Sequence, residues 1–239
     1  MNFNIITFGC KVNQYESNMM KEKMLSSGFL YSNKTEDSEI IIINTCSVTN
    51  IADKKCLKMI RRIKRENPQA ILVICGCSSQ NLQKEYEAFD ADILIGNKDK
   101  SKIDTLINEF LAKKEKYQKF YNERNLKFED MVISDFNHVR AFIKIEDGCD
   151  NFCSYCIIPY VRGSVRSKKF DECLKEARNL ASNNHKEIVL TGIHTGRYES
   201  VNHDLTDLIN ALSEIEDLER IRISSIEITE LNDKFLNML

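Results

Sequence analysis

Residues 39–46 read Glu-Ile-Ile-Ile-Ile-Asn-Thr-Cys, and this stretch decides the fold of the first half of the chain. A run of consecutive β-branched residues is typical of a strand that is buried on both faces of a parallel sheet. We therefore predict a strand at residues 39–43, and similar apolar runs predict strands at 3–8, 70–75 and 92–95. Helical patterns follow at residues 14–26, 48–65, 81–89 and 100–111. This alternation predicts an α/β domain over residues 1–112 that is built on a doubly wound parallel sheet.

The second half of the chain repeats the alternation after a charged segment. Residues 113–137 are polar, and we interpret them as a linker. From residue 138 onward we expect strands at 140–146, 187–190 and 220–224, with helices at 168–182 and 204–215. Three strands and two helices are too few to close an eight-stranded barrel. Residues 138–239 are therefore predicted to form the first part of a (β/α) partial barrel.

The composition is that of a folded protein. Of 239 residues, 42% are hydrophobic and 29% are charged, and the formal net charge of -2 excludes a domain-wide basic field. The aliphatic run at residues 40–43, like the other apolar runs of the chain, is far shorter than the roughly 20 residues of a membrane-spanning helix. The first ten residues lack the features of a secretory signal. We expect a cytoplasmic protein with no membrane partner, whose nine cysteines are reduced or bind metal.

Three cysteines follow three of the predicted strands, namely Cys10, Cys46 and Cys77. Because the carboxyl ends of parallel strands meet at one edge of an open sheet, we expect the three thiols to be neighbours there. Gly9 and Gly76 precede two of them and permit sharp turns beside a bound group. The pattern indicates a three-thiolate metal site, although cysteines that pack as small apolar side chains explain it as well. For the cysteines inside predicted strands and helices we expect packing roles: Cys56, Cys75 and Cys173.

A second group of cysteines, Cys149-x-x-x-Cys153-x-x-Cys156, follows the predicted strand at 140–146. Three thiolates within eight residues can hold one corner of a [4Fe-4S] cluster, which normally takes four cysteine ligands. One iron is then left open for a small chelating substrate. The spacing also allows a zinc site, for which His138 is the nearest fourth ligand.

Four stretches of the chain resemble motifs of a known family, the radical S-adenosylmethionine methylthiotransferases. They are Thr-Phe-Gly-Cys-Lys-Val-Asn-Gln-Tyr-Glu-Ser at 7–17, Asn-Thr-Cys-Ser-Val-Thr-Asn at 44–50, Gly-Cys-Ser-Ser-Gln at 76–80 and Asp-Gly-Cys-Asp-Asn-Phe-Cys-Ser-Tyr-Cys-Ile-Ile-Pro-Tyr-Val-Arg-Gly at 147–163. The resemblance covers nearly the whole chain. It implies that Cys149, Cys153 and Cys156 hold the radical-generating [4Fe-4S] cluster, whose open iron binds S-adenosylmethionine. It implies a second [4Fe-4S] cluster on the other three ligands, Cys10, Cys46 and Cys77, and no catalytic residue beyond the ligands.

The resemblance also suggests contacts to S-adenosylmethionine. Residues 190–196, Leu-Thr-Gly-Ile-His-Thr-Gly, and residues 222–227, Arg-Ile-Ser-Ser-Ile-Glu, are similar to the ends of the next two barrel strands in the family. Gly192, Ser225 and Glu227 are then expected to contact the cofactor. Tyr155 lies between two cluster ligands and is the candidate for the adenine side, with packing beneath the cluster loop as the alternative.

The first motif is similar to the family branch that acts on threonylcarbamoyl-adenosine in tRNA, the MtaB type. The implied reaction uses one S-adenosylmethionine to donate a methyl group to sulfur at the second cluster. Another is cleaved reductively, its deoxyadenosyl radical removes hydrogen from C2 of the adenine, and the methylthio group is transferred there. The implied partners are tRNA and an electron donor protein. The alternatives are the branches that act on isopentenyl-adenosine in tRNA and on a ribosomal protein.

The resemblance ends about halfway through the radical barrel and includes no C-terminal TRAM domain. We therefore expect a truncated chain that is poorly stable or depends on a missing C-terminal fragment, because its last strand at 220–224 has an unpaired edge. A non-catalytic iron-sulfur protein of the same family is the corresponding alternative function.

One predicted helix carries a concentration of positive charge. Seven basic residues and no acidic residue lie between positions 54 and 65. Such a helix either contacts RNA phosphates or forms a solvated face.

Overall fold

A computed structural model describes residues 1–122, 126–136 and 139–238. The described residues form two compact units, the first with residues 1–122 and 153–161, and the second with the remainder. Within the described residues, no helix combines the length and the apolar character needed to cross a bilayer.

The first unit is a parallel sheet with flanking helices. Its strands are β1 Asn2–Thr7, β2 Leu30–Tyr31, β3 Ile40–Thr45, β4 Ile71–Gly76, β5 Ile93–Ile95 and β6 Tyr117–Lys119. Its helices are α1 Lys11–Ser26, α2 Asn50–Glu66, α3 Cys77–Asn81, α4 Gln83–Glu87, α5 Ile103–Lys113 and α6 Ile158–Val161. A single 3-10 turn, Lys100–Lys102, precedes α5.

The sheet has the order β2-β1-β3-β4-β5-β6, and every neighbouring pair is parallel. This order confirms the doubly wound sheet. The chain reverses its direction of winding between β1 and β3, which makes that point the topological switch where open sheets bind ligands. The central strand β3 is buried along its whole length, and Ile41 and Ile43 pack with Ile60 and Ile63 of α2.

Two expected segments differ in detail from the structure. The expected linker at 113–137 contains β6, which pairs with β5 through the register Ile93↔Tyr117, and buried side chains at Met131 and Ile133. Residues 123–125 and 137 of this segment lie outside the described residues. The expected helix at 81–89 is two short helices, since α3 begins at Cys77 and the backbone leaves helical geometry at Leu82.

The second unit begins as the sequence predicts. Its strands are β7 Arg140–Lys144, β8 Glu146–Asp147, β9 Arg166–Ser167, β10 Glu187–Thr191, β11 Glu199–Ser200, β12 His203–Asp204 and β13 Arg220–Ile223. Its helices are α7 Phe170–Ser182, α8 Leu205–Ser213 and α9 Asp233–Met238. Strands β7, β10 and β13 form a parallel sheet in that order, as expected for the start of a barrel. The two-residue strands form two antiparallel ribbons, β8 with β9 and β11 with β12, which the sequence pattern does not predict.

Candidate functional site

Three cysteine-bearing turns meet at the carboxyl edge of the first sheet, as the sequence predicts. Cys10 follows β1, Cys46 follows β3 and Cys77 opens α3 directly after β4. The glycines before Cys10 and Cys77 have φ values of +103° and +113°, in the region that L side chains rarely adopt. A Cβ at Gly9 would lie 2.6 Å from Cys46 Sγ, so the first two turns are in direct contact. Glycine is therefore required for the close approach of these turns.

Two buried asparagines connect the turns after β1 and β3. The Nδ2 of Asn13 donates to the carbonyl of Phe8 at 2.8 Å and to that of Thr45 at 2.9 Å. The Nδ2 of Asn44 donates to the carbonyl of Asn13 at 3.1 Å and to Ser17 Oγ at 3.0 Å. Because each bond to a buried carbonyl fixes the backbone, the two cysteine turns are held together by side-chain amides.

Thr45 extends this network to the third turn. Its hydroxyl donates to the carbonyl of Cys75 at 2.7 Å and accepts the N–H of Ser79 at 3.1 Å. A Cβ at Gly76 would lie 2.4 Å from the carbonyl oxygen of Thr45. The turn that carries Cys77 is thus packed against the strand end that carries Cys46.

The side chains that this edge offers to a metal are three thiols, the ligand type that iron-sulfur clusters take in proteins. Cys46 and Cys77 are buried, with 2% and 3% of their surface exposed, and Cys10 is half-buried. Among the described residues, no group of three or more His, Cys, Asp or Glu side chains is close enough to hold a metal ion. The three cysteines share an edge, and their assignment to one cluster stays a prediction.

A buried ion pair lies beside Cys77. The ammonium of Lys100 is fully buried, 2.5 Å from Glu16 Oε2 on α1 and 3.2 Å from Asn97 Oδ1. The same Asn97 oxygen accepts the thiol of Cys77 at 3.6 Å, and its Nδ2 donates to the carbonyl of Val161 at 2.6 Å. A buried pair of this kind is costly to break, since either partner alone is an uncompensated charge.

The cysteines for which we expect packing roles do pack. Cys56, Cys75 and Cys173 are all fully buried. Burial raises the pKa of the Cys56 thiol to about 11 and that of the Cys173 thiol to about 12. The thiols of Cys56 and Cys173 therefore remain protonated near neutral pH. They are inert, because metal ligands and nucleophiles are thiolates.

The turn that leads into the second cysteine motif is fixed by a buried ionic network. The carboxylate of Asp147 lies 2.8 Å from Lys144 Nζ, 2.9 Å from Arg162 Nη1 and 3.0 Å from Arg166 Nη2. Burial alone raises the pKa of this carboxyl, but the three cations outweigh burial and hold the pKa well below its usual range. Arg162 is fully buried, so the network joins the two ends of the motif through charge-assisted bonds.

The backbone of the motif is fixed at both ends. Cys149 N donates to the carbonyl of Gly163 at 2.9 Å, and Cys156 N donates to that of Cys153 at 2.9 Å. All three thiols are half-buried. Cys149 belongs to the second unit and the other two to the first, so their assignment to one cluster stays a prediction. His138, the zinc alternative, lies outside the described residues.

A buried carboxylate organises the carboxyl edge of the second sheet. Glu146, just after β7, accepts the N–H groups of Ile193 and His194 at 2.8 and 2.7 Å through Oε2. A Cβ at Gly192 would lie 2.7 Å from that oxygen, so glycine allows the contact. Burial raises the pKa of Glu146 to about 8, and the two N–H donors offset part of the effect. Among the described residues, the other oxygen, Oε1, has no hydrogen-bond partner.

Three of the four residues expected to contact S-adenosylmethionine follow β10 and β13 at this same edge, namely Gly192, Ser225 and Glu227. The carbonyl of Ser225 accepts Thr195 N at 2.8 Å, which joins the two loops. Glu227 has 56% of its side chain exposed, and one of its oxygens is 3.6 Å from His194 Nε2. Tyr155 is 90% exposed, which contradicts packing beneath the cluster loop. The cofactor contacts of Tyr155, Gly192, Ser225 and Glu227 stay predictions.

Sequence reasoning misses the polar side chains that hold these loops, among them Asn13, Asn44 and Glu146. The sequence does give one signal for Glu146, which ends an apolar strand pattern three residues before Cys149. Burying a carboxylate there costs free energy unless hydrogen-bond donors surround it, so a role in fixing the backbone is indicated. The asparagines carry no such signal, because amides near turns are common.

Comparisons with known proteins agree with this arrangement. Residues 2–96 match the family described as "Uncharacterized protein family UPF0004", and residues 143–237 match the "Radical SAM superfamily". The threonylcarbamoyladenosine tRNA methylthiotransferase MtaB of Bacillus subtilis is 36% identical over 98% of this chain and 53% of that protein. The protein of the same name from Aquifex aeolicus is 34% identical over 98% of this chain and 58% of its own length.

A relative with a different name is similar as well. The tRNA-2-methylthio-N(6)-dimethylallyladenosine synthase of Clostridium perfringens is 32% identical over 97% of this chain and 54% of that protein. The chain thus spans about half the length of the curated relatives it matches. The chain carries matches to both families in this order, and along almost all of its length it is similar to proteins named as tRNA methylthiotransferases.

Proposed function

We propose that the protein adds a methylthio group to C2 of threonylcarbamoyl-adenosine next to the anticodon of tRNA. The observation that carries this proposal is the meeting of the Cys10, Cys46 and Cys77 turns at the ligand edge of the first sheet. A thiol-rich edge in one domain, followed by a radical domain, matches a reaction that needs both a sulfur source and a radical. The relatives named for threonylcarbamoyladenosine, at 36% and 34% identity, support the choice of substrate.

The proposed cofactors are S-adenosylmethionine and two [4Fe-4S] clusters. Cys149, Cys153 and Cys156 would hold one cluster, and a second ligand set would hold the other: Cys10, Cys46 and Cys77. When bound, the clusters supply the electron that cleaves S-adenosylmethionine and a site for the transferred sulfur.

The protein's own groups position the reacting atoms. The Asp147 network fixes the entry and exit of the cysteine loop, since its three cations come from both sides of the motif. Glu146 holds the backbone of residues 192–194, where we place the cofactor, and Ser225 ties the next loop to it. Such fixed loops keep the reacting groups in register and limit the access of water.

The surface of α2 supports a tRNA partner. All seven of its basic side chains are exposed, and they are Lys54, Lys55, Lys58, Arg61, Arg62, Lys64 and Arg65. Glu66 pairs with Arg62 and Arg65 at 2.8 and 3.5 Å, but among the described residues no carboxylate pairs with the first three lysines. Like charges four residues apart, such as Lys54 and Lys58, destabilise a helix by a few tenths of a kcal/mol. A polyanion along this face would offset that repulsion, as RNA phosphates do.

The proposal includes a cytoplasmic location and an electron donor protein, because tRNA modification and reductive cleavage require them. A second candidate substrate is isopentenyl-adenosine in tRNA, which the relative from Clostridium perfringens favours by its name. A non-catalytic iron-sulfur protein is the remaining alternative.

The test is methylthiolation by this chain after anaerobic reconstitution with iron and sulfide. Purified tRNAs that carry either threonylcarbamoyl- or isopentenyl-adenosine are incubated with S-adenosylmethionine and a reductant, and their nucleosides are analysed by mass spectrometry. We expect the 2-methylthio derivative of the first nucleoside only, and none from a Cys153→Ala variant. Product on the isopentenyl substrate alone would refute the substrate assignment, and bound clusters without product would establish the non-catalytic alternative.

A further inference from the structure

One buried carboxylate of the first unit lies behind the cysteine turns. Asp53, in the first turn of α2, is 9% exposed. Its Oδ2 accepts the hydroxyl of Ser47 at 3.1 Å, and its Oδ1 accepts the hydroxyl of Ser78. Ser78 in turn accepts the hydroxyl of Tyr86 at 2.8 Å. A single carboxylate therefore accepts hydrogen bonds from the loop after β3 and from the first turn of α3.

The two serines are the residues that immediately follow proposed ligands. Ser47 follows Cys46, and Ser78 follows Cys77. A side chain on α2 thus sets the distance between two cysteine turns that are 31 residues apart in the sequence. Cys56, one turn further along α2, also holds the Cys46 turn against this helix, because its thiol donates to the carbonyl of Cys46 at 3.7 Å.

The hydrogen-bond donors to the Asp53 carboxylate are neutral. Among the described residues, no Lys, Arg or His nitrogen pairs with it, and its two donors are hydroxyl groups. Burial raises the pKa of Tyr86 well above its usual range and that of Cys56 to about 11, so both stay uncharged. This contrasts with the buried carboxylates of Glu16 and Asp147, which face cations.

We propose that Asp53 is a positioning residue that holds the Cys46 and Cys77 turns against α2, and that its negative charge lowers the reduction potential of a cluster bound at these turns. The second part rests on the proposed function for the identity of that cluster. Reduction adds an electron, so a fixed anion nearby disfavours the reduced state. The first part concerns the polypeptide alone.

The positioning role is tested on the protein without metal. The variant Asp53→Ala is treated with iodoacetamide, and alkylation of Cys46 and Cys77 is followed by peptide mass spectrometry. We expect both cysteines to react about tenfold faster, because Ser47 and Ser78 each lose a hydrogen bond to a charged group. Ser78→Ala should expose Cys77 alone, because the Ser47 bond remains. The matched control is Asp92→Ala, whose carboxylate accepts Leu72 N at 2.8 Å at the opposite end of β4. Unchanged alkylation in Asp53→Ala would overturn the positioning role.

The electrostatic role is tested in a chain that carries Cys149→Ala, Cys153→Ala and Cys156→Ala, so that any iron bound belongs to the first unit. Asp53→Asn keeps an oxygen acceptor and removes the charge. We expect a higher midpoint potential in an EPR-monitored redox titration, with no change in Asp92→Asn. Equal potentials would overturn the electrostatic part. Absence of iron from the triple-alanine chain would refute the second cluster of the proposed function, and alkylation would still decide the positioning role.

Discussion

Glu146 is predicted to make the protein less stable as the pH rises, and Glu146→Gln to remove that dependence. The carboxyl has its pKa raised to about 8 by burial, from 4.5 in an exposed chain. Between these values the folded protein holds a proton that the unfolded chain releases. The unfolded state is therefore favoured progressively as the pH increases through this interval.

The magnitude follows from the size of the rise. A pKa that moves from 4.5 to about 8 corresponds to roughly 5 kcal/mol of folding free energy lost across the interval. Glutamine keeps an oxygen that can accept the N–H groups of Ile193 and His194, and it cannot ionise. The variant is expected to match the wild type at about pH 5 and to be more stable by several kcal/mol at about pH 9.

The assay is urea unfolding, followed by circular dichroism, of both proteins at about pH 5, 7 and 9 and at one ionic strength. Glu187→Gln is the matched control. The Glu187 side chain bonds to Arg222, which lowers its pKa, so Glu187 stays ionised throughout this range and its effect on stability should not vary. A constant difference between Glu146→Gln and wild type across the three pH values would show that the carboxylate is not destabilised by burial.

Three further outcomes are expected. Replacing Lys54, Lys55 and Lys58 by glutamine should reduce the slope of log affinity against log salt for a tRNA by about 2 to 3. The same change at Lys23, Lys34 and Lys113 should leave the slope unchanged. If the first variant had the slope of the wild type, α2 would be excluded from the RNA contact. Asp147→Ala should lower the free energy of unfolding by about 3 to 5 kcal/mol in urea titrations, because buried Arg162 loses this ion pair, and a loss below about 1 kcal/mol would contradict the network. Gly76→Ala should destabilise the protein more than Gly28→Ala does, since both have positive φ but a Cβ at Gly28 would meet no atom within 4 Å; equal melting temperatures would disprove the clash with Thr45.

The strands of the first sheet could be predicted because their residues are apolar without interruption. The run at residues 40–43 has no helical periodicity, and the glycines at 9 and 76 mark the turns that end two strands. From these features the shared edge of Cys10, Cys46 and Cys77 follows by topology alone. The register between strands does not follow, because each apolar run fits several alignments.

The polar groups that fix the turns could not be predicted. Asp53 lies in a helix with seven cations, and its sequence context suggests a solvent-exposed ion pair rather than a buried carboxylate with two serine donors. The short strand β6 could not be predicted either, since Tyr-Gln-Lys at 117–119 has no apolar strand pattern and forms a strand by pairing with β5. Both depend on neighbours that are distant in the sequence.

The buried pair of Glu16 and Lys100 constrains how this protein can diverge. The two residues are 84 positions apart, and each fills space that is closed to solvent, so neither charge can be relieved by hydration. A lineage that loses one of them keeps the other charge buried without this ion pair until it replaces that residue as well, at a cost of about 3 to 5 kcal/mol in the meantime. Among descendants of a common ancestor, positions 16 and 100 are therefore expected to change as a couple or to persist together.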